Sequence, residues 1–109
     1  MKIAITSTGN SLDSLIDSRF GRCSYFVVYD TVTGSTEFVP NKNKDNIEGA
    51  GPASVQLIAT LGAKKVVSGE FGAKVKAIFD QLQVQLVVIN DPDKKVSDII
   101  EILNRNNHN

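Results

Sequence analysis

The chain has no tryptophan, one cysteine, one histidine and one methionine among 109 residues, and its 12 basic side chains are offset by 12 acidic ones. One cysteine cannot close an internal disulfide, so folding does not depend on oxidation. The lone histidine, His108, sits in the terminal stretch NRNNHN. The serines therefore lack an internal base, which argues against a Ser–His hydrolase. A formal net charge of zero gives no global field to attract nucleic acid or an anionic membrane, so recognition by charge must be local. Apolar runs stop at about five or six residues, far short of a spanning helix, and MKIAITSTGN has no signal-peptide core. A cytoplasmic protein with neither nucleic-acid nor membrane partners is expected.

What is present is an alternation of strand and helix patterns. KIAIT (2–6), SYFVVYD (24–30) and STEFVP (35–40) are short, β-branched and aromatic, and TVTG joins the last two as a hairpin. The segment between the first two strands has only a weak helical stripe, Leu12, Leu15 and Ile16. NKNKDNIE (41–48) is polar and reads as a loop. After GAGP the period changes: Ser54, Leu57, Ile58 and Leu61 follow helical spacing, and Gly62 ends the run. KKVVSG is a strand, and EFGAKVKAIFDQL is a helix with Phe71, Val75, Ile78, Phe79 and Leu82 on one face. VQLVVIN is a further strand, and Val96, Ile99, Ile100 and Leu103 mark a last helix. One domain is expected over residues 1–104, with a polar tail over 105–109.

The order β-β-β-α-β-α-β-α, with right-handed crossovers and a neighbouring hairpin, predicts an α/β fold. Its mixed five-stranded sheet takes the order 3-2-1-4-5 with only the second strand antiparallel. Ser7–Asn10, Arg19–Cys23, Asn41–Gly51 and Gly69–Gly72 would then meet at one edge, where open α/β sheets hold their ligands. Six of the eight glycines fall in or beside these segments; Gly34 and Gly62 are explained by a turn and a cap. Asp30, Gly34 and Ser35 belong to the opposite end, as scaffold.

Each motif at that edge has two readings. GAGP opens a helix whose free amides attract anions, or it is only a flexible approach to that helix. It is neither a dinucleotide fingerprint nor a Walker loop. SGEFGAK, with Gly69 and Gly72, is a tight strand-to-helix turn or part of a shared anion or cluster pocket. Cys23 is either a small core residue or a thiol activated by Arg19 and Arg22. One thiolate cannot hold a whole iron–sulfur cluster, but it could supply one ligand. The first strand carries no carboxylate, so a two-metal nuclease centre has no anchor there.

MKIAI, RFGRCSYFVVYD, GAGPASVQL and VVSGEFGAK together resemble the dinitrogenase iron–molybdenum cofactor biosynthesis family of nitrogenase accessory factors and their small relatives. The resemblance covers about residues 1–103. It implies a ribonuclease-H-like fold and a non-enzymatic carrier that binds an iron–sulfur or iron–molybdenum-type cluster transiently. Cluster donor or acceptor proteins would be the partners of a monomer or weak homo-oligomer. The family motif usually reads His-Phe-Gly-Arg, and Arg19 stands at the histidine position. The second histidine often found after the third strand is replaced by Asn41 to Lys44. The site expected at this edge is Arg19, Gly21, Arg22, Cys23, Gly49, Gly51, Gly69 and Gly72, with Cys23 as the candidate direct metal ligand. The alternatives are a metal-free module for an anion or a partner protein, and a thiol redox sensor acting through Cys23.

Overall fold

The computed structural model describes the backbone of residues 1–107; His108 lies outside the described residues. The strands are β1 (Lys2–Ser7), β2 (Tyr25–Asp30), β3 (Thr36–Pro40), β4 (Ala63–Ser68) and β5 (Gln85–Val88). The helices are α1 (Ala50–Thr60), α2 (Ala73–Gln81) and α3 (Val96–Asn107). One mixed sheet runs β3-β2-β1-β4-β5. β2 is antiparallel to both β1 and β3, whereas β1, β4 and β5 are parallel neighbours. Strand order and direction are those expected from the pattern of the sequence.

Alternation along the strands builds two cores, because successive side chains point to opposite faces. Ala4, Phe26 and Val66 pack on one face against Val55 and Ile58 of α1 and Val75 and Phe79 of α2. Ile3, Ile5, Val27, Tyr29 and Val67 pack on the other against Val96, Ile99 and Leu103 of α3. Far from the carboxyl edge, the β2–β3 turn is held by the Asp30 carboxylate, whose Oδ1 accepts from the amide of Val32 at 2.8 Å. That bond, more than any other cause, holds the carboxyl of Asp30 below its usual range.

Residues 11–16 form no helix, in line with the expected order of elements: Leu12 and Leu15 are exposed, and only Ile16 is buried. The segment runs instead beside the start of α3, where Ile16 N–H donates to Lys94 O and Val96 N–H donates to Ser14 O, both at 2.9 Å. Leu82 is exposed, because α2 stops at Gln81 and the chain turns through Gln83 at φ 58°. The last helix continues to Asn107, beyond the expected tail boundary. Tyr29 hydroxyl, on β2, donates to Asn104 Oδ1 and ties this end to the sheet.

Candidate functional site at the carboxyl edge of the sheet

The motif RFGRC leads from an irregular segment into β2, and its side chains divide by direction. Phe20 points inward, its ring 5.3 to 5.6 Å from those of Phe26, Phe71 and Phe79. Cys23 also points inward: it is 0% exposed, and its thiol donates to Phe20 O at 3.2 Å. Burial, reinforced by the nearby Asp17 carboxylate, pushes the thiol pKa up to about 12. Arg19 and Arg22 point away from this core. The guanidinium of Arg19, 61% exposed, lies 3.6 Å from Asp17 Oδ1. Arg22 Nη1 donates to the carbonyls of Lys44 and Asn46, which ties the polar loop after β3 to the motif.

The expectation for Cys23 is therefore corrected. Its sulfur faces the core and not the edge, and desolvation there keeps it a neutral thiol. It is placed neither as a cluster ligand nor as an exposed redox thiol.

The structure does bring the glycine segments together. A cleft of about 440 Å³ is lined by Arg19, Gly21, Arg22, Gly49, Gly51, Glu70, Gly72 and Lys74. Two helix N-termini meet there, those of α1 and α2. Neither receives a side-chain cap, and neither has an acidic residue in its first turn. The first amides of a helix have no partner within it and carry partial positive charge. Three cationic side chains and one carboxylate accompany them. Such a cleft can neutralise an anion and donate hydrogen bonds to it.

The glycines serve different ends. Gly49 adopts φ 74°, which favours glycine. A Cβ on Gly21 would lie 3.0 Å from backbone atoms of Gly51, so Gly21 lets RFGRC pack directly on α1, whereas a Cβ on Gly51 would lie 2.8 Å from Val75 Cγ2 of α2. Gly69 faces a neighbouring cavity of about 360 Å³ that shares Arg19 with the cleft. A Cβ there would lie 2.5 Å from Ser18 Cα, and the Gly69 amide already donates to Asp17 O at 3.3 Å. Gly69 is thus a backbone crossing, and its expected role as a donor to a ligand is corrected. Gly72 has φ −68°, and a Cβ there would meet nothing within 4 Å, so no such steric demand applies to it.

The sequence placed Asn41 at this edge but gave it no role of its own. It is buried, and its Nδ2 donates to Gly21 O at 3.1 Å and Cys23 O at 3.0 Å. Its Oδ1 accepts from Asn43 N–H at 3.1 Å and from Ser54 Oγ at 3.4 Å. One amide thus joins RFGRC, the polar loop and α1. Asparagine repeated through NKNKDNIE gave no signal to distinguish it. Lys74 was missed, since in the sequence it reads as one more polar position on a helix. Among the described residues, no three His, Cys, Asp or Glu side chains are grouped to hold a metal ion.

Fold and edge together define a small α/β protein with an open mixed sheet and clefts at the carboxyl ends of its strands. The chain belongs to the dinitrogenase iron-molybdenum cofactor family, whose sequence profile matches residues 1–106. The family is involved in iron–molybdenum cofactor biosynthesis. The chain is similar to the apo form of the orange protein from Desulfovibrio gigas, at 29% identity and TM-score 0.89, covering 96% of this chain and 88% of that one. It is also similar to a putative NifB protein from Thermotoga, at 27% identity and TM-score 0.81, covering 95% and 87%. A protein of Methanocaldococcus jannaschii is 29% identical over 93 residues, covering 83% of this chain and 75% of that protein.

Proposed function

We propose that the protein is a small carrier, without catalytic chemistry of its own, for an anionic iron–sulfur or iron–molybdenum-type cluster or its precursor. The convergence of two uncapped helix N-termini with Arg19, Arg22 and Lys74 carries this reading. Arg19 and Lys74 supply charge, and Arg22 combines charge with the tether to the loop after β3. Gly21, Gly49, Gly51 and Gly72 line the cleft and let backbone approach the cargo, while Gly69 packs against Ser18 beside it. The cargo is held by charge and hydrogen bonds, its terminal metal positions keeping the small-molecule ligands with which it arrives. Proteins that donate or accept clusters are the partners.

The test is anaerobic incubation with a synthetic thiolate-capped [4Fe–4S] cluster and, separately, with tetrathiomolybdate. Desalting and assay of iron, molybdenum and sulfide follow. Uptake of at least one probe is expected in wild type and in Cys23→Ala. Arg19→Glu with Lys74→Glu should weaken it at least tenfold, about 1.4 kcal/mol. No uptake of either probe by wild type, or equal uptake by the double charge reversal, overturns the reading.

A second reading, a metal-free module for a small anion, is favoured by the absence of a grouped donor set among the described residues. It predicts that orthophosphate binds the same cleft while both metal probes fail.

A further inference from the structure

The two edges of the sheet are protected unequally. β3, at one edge, carries Glu37 and ends at Pro40. Charge and proline are devices that discourage an edge from pairing with another chain. β5, at the other edge, pairs only with β4 among the described residues. The run VQLVVIN around it has neither charge nor proline.

Beside β5 lies a groove of about 600 Å³, lined by Phe71, Val84, Leu86 and Val88, with Lys76 and Asp80 of α2 along it. Val88 is 57% exposed. Lys76 and Asp80 are one helical turn apart and opposite in charge. Both are exposed, and neither makes an ion pair among the described residues.

We propose that this edge is a self-association surface whose occupant is a second copy of the chain. A two-fold axis normal to the sheet, passing beside β5, would run the two β5 strands antiparallel. It would also set the two copies of α2 side by side on one face. An isologous contact must be complementary to itself. Lys76 and Asp80 meet that condition, because antiparallel helices bring each residue opposite its counter-charge on the other copy. The strip carries no net charge, and the whole chain is formally neutral, so no long-range repulsion opposes approach. Four residues of edge make a small interface, and the dimer is transient. The proposal rests on β5 and α2 and stands apart from the anion cleft.

Sedimentation velocity on the full chain between about 10 μM and 1 mM tests it, with circular dichroism to confirm folding. Wild type should shift towards dimer with concentration, and Val88→Lys should stay monomeric. Lys76→Asp should weaken association by setting like charges face to face, and Lys76→Asp with Asp80→Lys should restore it. The proposal falls if wild type is monomeric throughout, or if folded Val88→Lys associates as wild type does. It falls equally if the double swap fails to recover what the single swap loses. The charge swaps use exposed positions, so the test survives even if Val88→Lys disturbs the edge.

Discussion

Asn41 carries more of the carboxyl edge than any charged residue there, since its amide satisfies two carbonyls and accepts from an amide and a hydroxyl. Removing a buried amide leaves its partners unsatisfied, at about 1–3 kcal/mol for each group stranded away from water. Asn41→Ala is expected to cost roughly 2–4 kcal/mol in urea unfolding. A loss below about 1 kcal/mol would mean that water replaces the side chain. Cys23 makes a second residue-scale prediction, with the sign set by its raised pKa. Its folded value of about 12 lies above the ordinary value of 9.0. The unfolded thiol therefore ionises first as pH rises. The stabilisation from burying the neutral thiol is complete below pH 9 and is lost progressively towards pH 12. The stability gap between wild type and Cys23→Ala should hold steady up to about pH 8 and narrow by about pH 11. A gap that stays constant would place the thiol in water.

At the scale of elements, the glycines that crowd one edge divide into those the fold needs and one it does not. Gly69→Ala drives a methyl into the backbone of Ser18, and overpacking of this kind costs typically 1–3 kcal/mol. Gly72→Ala has open space and an ordinary φ of −68°, so its stability should stay within about 0.5 kcal/mol of wild type. Thermal melts of the two variants distinguish these outcomes; equal losses would contradict the backbone packing described here. The glycine clustering visible in the sequence thus had mixed causes. Gly21 and Gly69 mark close backbone crossings, Gly51 lies against the Val75 side chain of α2, and Gly49 marks a left-handed turn. Sequence spacing alone could not separate these from a ligand loop, because both uses select the same residue type. The weak stripe of Leu12, Leu15 and Ile16, left out of the expected order of elements, forms no helix. Its backbone found partners near α3, so it had no need of helical hydrogen bonds.

For the whole molecule, neutrality makes the cleft a local feature. Anions held there by Arg19, Arg22 and Lys74 should bind several-fold more weakly as salt rises from about 0.05 to 0.5 M, over which the screening length falls well below 10 Å. Isothermal titration with tetrathiomolybdate or orthophosphate checks this, and salt-independent binding would point to contacts other than charge. The sequence by itself determined the order of elements, the strand order and the edge where the loops gather. Those follow from short-range periodicity and from the handedness of crossovers, which are written along the chain. Only the tertiary structure decided which way RFGRC faces. Phe20 and Cys23 lie three residues apart, and both turn into the core, leaving Arg19 and Arg22 outside it. That choice depends on Phe26, Phe71 and Phe79, brought from distant parts of the chain to enclose one ring and bury one thiol.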